Sequence, residues 1–254
     1  MGDHPPQVTV LHPTEDGRPP GLDPLEADAR VVYADSEEAL REALPQTDVL
    51  LVTDFRSTAL QDAWDDARKL QWIHATSAGV DALLFPASRH SDIPITNARG
   101  VFDRAIAETV LGMILLFAKD FITSLEYKRR HRWQHRDTER ITGRRVLVVG
   151  AGSIGRTIAQ LAGGAGMSVE GIARRARDSD PDFVAVYSQE RLHERLAEAD
   201  YVVLAAPLTA DTEGMFDAVA FRAMRNSARL INIGRGPLVQ TDALVEALRH
   251  GEIA

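Results

Sequence analysis

Three short stretches hold the residue types that could grip a small anion or a nucleotide. The first is Gly150-Ala151-Gly152-Ser153-Ile154-Gly155, directly behind a β-branched apolar run at 146–149. A strand feeding a G-x-G-x-x-G turn and then a helix is the opening of a dinucleotide-binding βαβ unit. Gly150 allows the tight turn, Gly152 lets backbone approach a pyrophosphate, and Gly155 lets helix and strand pack closely. The free N–H groups and the dipole at the helix start favour the phosphate. A purely structural glycine turn is the alternative. The helical pattern at 154–165 and the second apolar run at 168–173 favour the nucleotide.

The second stretch follows that second run. Its end falls at Ala173, with Arg174 and Arg175 next and Arg177 close behind. An NAD-preferring enzyme usually places a carboxylate there, where it takes the ribose 2′-OH. Glu170 is three residues earlier and, by strand alternation, faces the other way. Two guanidinium groups instead stand where a 2′-phosphate would lie, so NADP(H) is the expected cofactor, with NAD(H) possible. The bland alternative is a solvated, arginine-decorated loop.

The third is Asn232-Ile233-Gly234-Arg235-Gly236-Pro237, behind an apolar run at 229–233. Open α/β sheets bind ligands at such carboxyl ends. The planar fork of Arg235 suits a carboxylate and its neighbouring carbonyl, although a solvated loop arginine fits the same pattern. Ser77-Ala78-Gly79-Val80-Asp81 offers backbone N–H groups to a carboxylate, or is a plain turn. Residues 206–209, with Pro207 and Thr209, end another strand in a turn that either covers a cofactor or simply connects. His74 reads as a satisfied, partly buried histidine rather than a base, and His131 and His135 as solvent-facing.

The elements that must position these groups alternate. Strands are expected at 7–11, 30–33, 48–52 and 70–74, and helical segments at 36–43, with Ser36 as N-cap, and 58–67. That alternation predicts a parallel sheet wrapped on both faces. Residues 93–100 close this first domain. Residues 101–119 form a helix apolar on most sides, which must be buried against something large; it joins the domains and is a candidate subunit interface. The charge run at 128–140 reads as a solvated face. Beyond the glycine turn come a helix at 188–198, a strand at 201–205, a helix at 218–224, a strand at 229–233 and a helix at 241–250. Domain bounds of 1–100 and 101–254 follow.

The 254 residues carry a formal charge of −8, which argues against a nucleic-acid partner. With no cysteine there is no disulfide and no thiolate metal site, and no metal is expected. No apolar run reaches the ~18 residues of a membrane span. The start, MGDHPPQ, lacks a signal-peptide layout, so a cytoplasmic protein is expected.

Together these pieces resemble the D-isomer-specific 2-hydroxyacid dehydrogenases. The resemblance is carried, in family order, by TSAGVD (76–81), TNARGVFDRAIAETVLGMIL (96–115), Trp133, VLVVGAGSIG (146–155), APLTADTEGMF (206–216) and NIGRGPLVQTDALVEAL (232–248). It implies an α/β chain with a Rossmann-type doubly wound cofactor domain and a smaller flavodoxin-like substrate domain. The implied reaction is NAD(P)-dependent interconversion of a small 2-keto acid, such as glyoxylate or hydroxypyruvate, and its D-2-hydroxy acid. By the same resemblance Arg235 binds the keto acid and polarises its carbonyl, and Ala78 and Gly79 donate to its carboxylate. Gly150, Gly152, Ser153, Ile154 and Gly155 hold the pyrophosphate. Pro207, Thr209, Ile233 and Gly234 border the rest of the cofactor, with Arg174 and Arg175 at the 2′-position. A cleft between domains and a homodimer are implied too. Substrate pockets are expected to include Phe55 and Arg56.

In that family the histidine and acidic residue of the proton relay, and an aspartate at the nicotinamide amide, come after the point matching His250-Gly251-Glu252-Ile253-Ala254. The C-terminal end is therefore expected to be missing, leaving these 254 residues a weak cofactor binder with little activity. A nucleotide-sensing, corepressor-like binding protein and a catalytically dead short form are the alternatives on the same scaffold.

Overall fold

Two parallel five-stranded sheets, each with its own core, organise the chain. The computed structural model describes residues 5–15, 17–54 and 57–254, so Phe55 and Arg56 lie outside the described residues. It divides into units Met1–Val101 and Phe102–Ala254.

The first unit runs β1 (Gln7–Leu11), α1 (Asp23–Glu26), β2 (Arg30–Ala34), α2 (Glu37–Ala43), β3 (Val49–Val52), α3 (Ala59–Asp62), β4 (Trp72–Ala75), α4 (Pro86–Arg89) and β5 (Ile95–Asn97). Its strand order is β2-β1-β3-β4-β5, all parallel, the flavodoxin-like order. Ser36 caps α2, its hydroxyl accepting from the Ala39 N–H at 3.3 Å. Leu11, Leu50 and Ile73 point to one face and pack on Leu40 and Leu44 beneath the sheet. The opposite face is less covered than the expected double wrapping, and Trp72 stays 42% exposed. Two expectations shift. The helix at 58–67 is split into α3 and a 3-10 turn at Trp64–Asp66, and residues 95–97 form a fifth strand that the sequence pattern does not announce. Three residues are too few for alternation to show.

The second unit runs α5 (Asp103–Ala118), α6 (Phe121–Arg129), β6 (Arg145–Val149), α7 (Ser153–Gly164), β7 (Ser168–Ala173), β8 (Ala185–Ser188), α8 (Leu192–Leu196), β9 (Tyr201–Leu204), α9 (Ala218–Ala223), β10 (Arg229–Asn232) and α10 (Thr241–Arg249). Its order is β10-β9-β6-β7-β8, again all parallel. That is the Rossmann arrangement, with the reversal of direction between β6 and β9. Both sides of β6 are buried. Val146 and Val148 pack with Ile158 of α7 and Val110 of α5, whereas Leu147 and Val149 pack with Leu196 and Phe221 on the far side. Each fully buried side chain of this size is worth roughly 1.5–3 kcal/mol, so β6 is firmly fixed just ahead of the glycine turn.

Two readings need correction here. The helix at 103–118 is not buried all round: Asp103, Ala107, Val110, Ile114 and Ala118 form one buried stripe, while Met113 and Phe117 are exposed. The helix expected at 188–198 is present but shorter, a 3-10 turn at Gln189–Arg191 running into α8, and it is preceded by strand β8, which the sequence pattern did not announce. Among the described residues, no helix is long and apolar enough to cross a membrane.

Candidate functional site

The carboxyl ends of β6, β9 and β10 converge so closely that side chains are excluded from them. Gly150 sits at φ +112°, and a Cβ there would lie 2.5 Å from the Ala205 carbonyl carbon and from the Ala206 nitrogen. A Cβ on Gly155 would lie 2.1 Å from the Gly150 oxygen, so α7 rests directly on the turn. A Cβ on Gly234 would come 2.9 Å from the Ala206 oxygen, which brings the loop after β10 against the loop after β9.

Gly152 differs from these. It is the N-cap of α7, caps nothing with a side chain, and has nothing within 4 Å of where its Cβ would stand. The protein itself does not need a glycine there. An approaching phosphate does, because the space beyond leads to the uncapped N–H groups of the first turn of α7. Ser153 opens that helix and donates its hydroxyl to the buried Asp103 carboxylate of α5. These features fit a dinucleotide pyrophosphate.

A groove of about 990 Å³ runs from this turn along the sheet's carboxyl edge. Gly150, Ala151 and Gly152 form its floor, Ala173 to Arg177 one wall, and Ala206, Pro207, Thr209 and Thr212 the other. The far wall is a self-locked turn: Thr212 Oγ1 donates to the Pro207 carbonyl at 2.7 Å and accepts from the Thr209 N–H at 2.9 Å. The expected cofactor residues Gly150, Gly152, Arg174, Arg175, Pro207 and Thr209 thus share one groove. Ser153, Ile154 and Gly155 form the first turn of α7 behind it, while Ile233 and Gly234 lie on the loop after β10, Ile233 donating its N–H to the Leu204 carbonyl at 3.0 Å.

The arginines after β7 are of two kinds. Arg177 Nε lies 3.0 Å from Asp180, and its Nη2 donates to the Ala151 carbonyl at 3.2 Å. Asp180, with 1% of its side chain exposed, also takes a two-pronged pair from Arg156 of α7, both bonds at 3.0 Å. Arg156 reaches Asp182 at 2.7 Å as well. Arg174 and Arg175, by contrast, line the groove and among the described residues make no ion pair or hydrogen bond. Glu170 is 3.8 Å from Arg195 of α8, on the other face of the sheet as alternation requires. Sequence reasoning passed over Arg156, Asp180 and Asp182. The i, i+3 spacing of Arg177 and Asp180 was their one local signal.

Burial alone would push the Asp180 carboxyl up. The Asp182 N–H, the Arg156 fork and the Arg177 charge outweigh it and hold Asp180 below its ordinary value. Hydrogen bonds from Gln160 and Arg156 hold Asp182 down in the same way.

Arg235 follows β10 and opens a 3-10 turn at Gly236–Leu238. Asn232 braces the loop, accepting from the Gly234 N–H and donating to the Arg235 carbonyl, both at 3.0 Å. In the first unit, Ser77 Oγ donates to the Gly79 carbonyl at 2.7 Å and Asn97 Nδ2 to the Ala78 carbonyl at 2.7 Å. Among the described residues the Ala78 and Gly79 N–H groups have no such partner, which leaves them available to an anion. His74 is satisfied by Thr96, Nδ1 to Oγ1 2.8 Å.

Comparison with known proteins adds three findings. Residues 111–254 match the sequence profile of the D-isomer specific 2-hydroxyacid dehydrogenase NAD binding domain. Glyoxylate reductase of Thermococcus onnurineus is 32% identical over 237 residues, covering 88% of this chain and 70% of that protein. Among solved structures, a D-isomer specific 2-hydroxyacid dehydrogenase family protein from Aeromonas salmonicida superposes with a TM-score of 0.83 at 30% identity, covering 97% of this chain and 79% of that one. One from Xanthobacter autotrophicus, in complex with NADPH and MES, gives 0.79 at 25% identity over 97% of this chain and 78% of that one.

Two outcomes test this geometry. Gly155→Ala drives a methyl into the Gly150 carbonyl and should lower stability by about 1–3 kcal/mol in denaturant melts. Gly152→Ala meets no protein atom, so its melt should stay close to wild type while cofactor affinity drops in calorimetric titration. The acid dependence follows from the depressed carboxyls of Asp180 and Asp182. Their stabilisation is full above the ordinary aspartate value of roughly pH 4 and is lost as pH falls through the lower folded value. Asp180→Asn should accordingly lower the Tm at pH 7 by more than it does at pH 3.

Proposed function

This chain belongs to the D-isomer specific 2-hydroxyacid dehydrogenase family, and from that premise we propose that it reduces a short 2-keto acid to the D-2-hydroxy acid with NADP(H) preferred over NAD(H). It is an oxidoreductase with a nicotinamide-cofactor domain. The observation that carries the cofactor choice is the pair Arg174 and Arg175 on the groove wall, both without a partner among the described residues. A 2′-phosphate would supply one. Gly150, Gly152 and the first turn of α7 would hold the pyrophosphate, and Pro207 and Thr209 would border the ring systems.

When bound, the nicotinamide would supply the hydride, and the proton that completes the hydroxyl would come from the histidine relay that the family resemblance places after the residues matched here. Arg235 would hold the keto acid, its fork placed on the carboxylate and carbonyl oxygens to draw electron density from the carbon under attack. The braced Asn232–Arg235 loop supports this role, because a preorganised donor costs no reorganisation during the reaction. The Ala78 and Gly79 N–H groups are proposed as carboxylate donors. Glyoxylate or hydroxypyruvate is the proposed substrate class, in line with the glyoxylate reductase name of the Thermococcus relative. A binding-protein role is not favoured. A homodimer is proposed, with the exposed apolar Met113, Phe117, Phe121, Ile122 and Leu125 of α5 and α6 as its interface.

Arg235→Lys keeps the charge and loses the fork. Its kcat/KM on glyoxylate should fall by about 2–4 kcal/mol of transition-state stabilisation. Turnover within twofold of wild type would remove Arg235 from the substrate. For the cofactor, charge-assisted bonds are each worth roughly 1.5–3 kcal/mol. Arg174→Ala should therefore cut the NADPH-to-NADH ratio of kcat/KM about tenfold, and an unchanged ratio would sink the assignment.

A further inference from the structure

The connection between β7 and β8, residues 174–184, carries six arginine and aspartate side chains: among the described residues Arg177, Asp180 and Asp182 are bound to one another or to α7, and Arg174, Arg175 and Asp178 are not. We propose that Asp180 is a positioning residue for cofactor discrimination: it locks this connection so that Arg174 and Arg175 are presented to the 2′-position of the nucleotide. The inference rests on the NADP(H) reading above and deepens it.

The lock has three attachments. Arg156, one residue beyond the last glycine of the turn, ties Asp180 to α7 with two 3.0 Å bonds. Arg177 ties the same carboxylate to the turn itself, through Nε at 3.0 Å and, from Nη2, the Ala151 carbonyl at 3.2 Å. Asp180 Oδ1 also accepts the Asp182 N–H at 3.1 Å, and Asp182 in turn holds Arg156 and Gln160. Behind these, the Arg177 N–H donates to the Val186 carbonyl at 2.9 Å, and the Val184 N–H donates to the Val169 carbonyl at the same distance. Phe183 is buried against Gly171, where a Cβ would lie 3.2 Å from its ring.

The lock also sorts the charges. Two guanidinium groups, Arg156 and Arg177, are matched by two carboxylates, Asp180 and Asp182. Among the described residues Arg174, Arg175 and Asp178 of this connection are unmatched; the two arginines line the groove and Asp178 does not. The sequence reading put Arg174 and Arg175 at the phosphate and Arg177 close behind them. The structure instead gives its guanidinium to Asp180 and the turn, which makes it a strut.

The positioning role has a sign that a through-space role does not. Removing the negative charge at Asp180 would, by Coulomb's law alone, make a 2′-phosphate bind more tightly. Releasing the lock makes it bind more weakly, because Arg174 and Arg175 then lose their fixed placement.

The experiment is calorimetric titration of NADPH and of NADH into wild type, Asp180→Asn, the double variant Arg174→Ala/Arg175→Ala, and the triple variant. Wild type should favour NADPH about tenfold, and Asp180→Asn should weaken NADPH by about fivefold with NADH nearly unchanged. In the background lacking both arginines, Asp180→Asn should change neither. Should Asp180→Asn fail to fold, Arg156→Gln breaks the two-pronged pair from its more exposed side; because its lost charge alone would also weaken NADPH, it is read by whether that weakening disappears in the background lacking both arginines. A wild-type preference for NADPH that survives Asp180→Asn, that grows in it, or that falls equally without Arg174 and Arg175 overturns the positioning role and leaves the cofactor reading standing. Equal wild-type affinities overturn the cofactor reading, and this inference with it.

Discussion

Everything in the cofactor unit depends on a backbone-to-backbone approach that only glycine permits. The Gly150 carbonyl, the start of α7 and the Ala205–Ala206 peptide occupy a space with no room for a methyl group. This closeness follows from the strand order. β6 and β9 are neighbours whose following segments leave the sheet in opposite senses, so their ends part and open a crevice. The closer the turn lies to the sheet, the more fully its N–H groups face that crevice. Burial of Val146, Leu147, Val148 and Val149 on both faces of β6 supplies the rigidity. A loosely held strand could not keep these backbones so close.

Charge acts at a second level. The chain is acidic overall, and a dinucleotide is an anion, so long-range steering opposes binding. Local structure has to overcome that. The dipole of α7 and its uncapped N–H groups would do so at a pyrophosphate held on the glycine turn. Beyond β7, the sorting of arginines by Asp180 and Asp182 keeps cationic charge exposed at one place and neutralised at the next. Asp103 marks the inner limit of this field: its carboxylate is buried one step behind the turn and is satisfied by Ser153.

The glycine turn was legible in the sequence because its determinants are contiguous. Strand, turn and helix each impose their own local pattern, and β7 was found over the same residues, 168–173, that the structure assigns. The unmatched pair after β7 was legible for the same reason. β5 and β8 were not, because three- and four-residue edge strands are defined by their hydrogen-bonded neighbours more than by their own side chains. The helix at 103–118 misled in another way. Its apolar content on most sides suggested burial against something large, yet within the chain only the stripe facing α7 is buried. Composition records how much apolar surface an element has, but not where its neighbours end. The Arg156–Asp180 lock was hidden because it joins residues 24 apart that share no pattern.

These two kinds of determinant imply two kinds of tolerance to change. The proposed cradle for the pyrophosphate would serve NAD and NADP alike, and it rests on backbone at Gly150 and Gly155 that cannot take a side chain without disturbing the sheet. The proposed recognition of the 2′-position would rest instead on side chains of a surface connection, where a substitution costs the fold little. Such a connection would normally be too mobile to discriminate, since ordering two long side chains at binding consumes affinity. Here Arg177 and Asp182 are already joined to Asp180, whose side chain is 1% exposed, and through it and Arg156 to α7 and the glycine turn. The rigidity of the core is thereby extended outward, through Arg156 and Arg177, to residues that the core never touches.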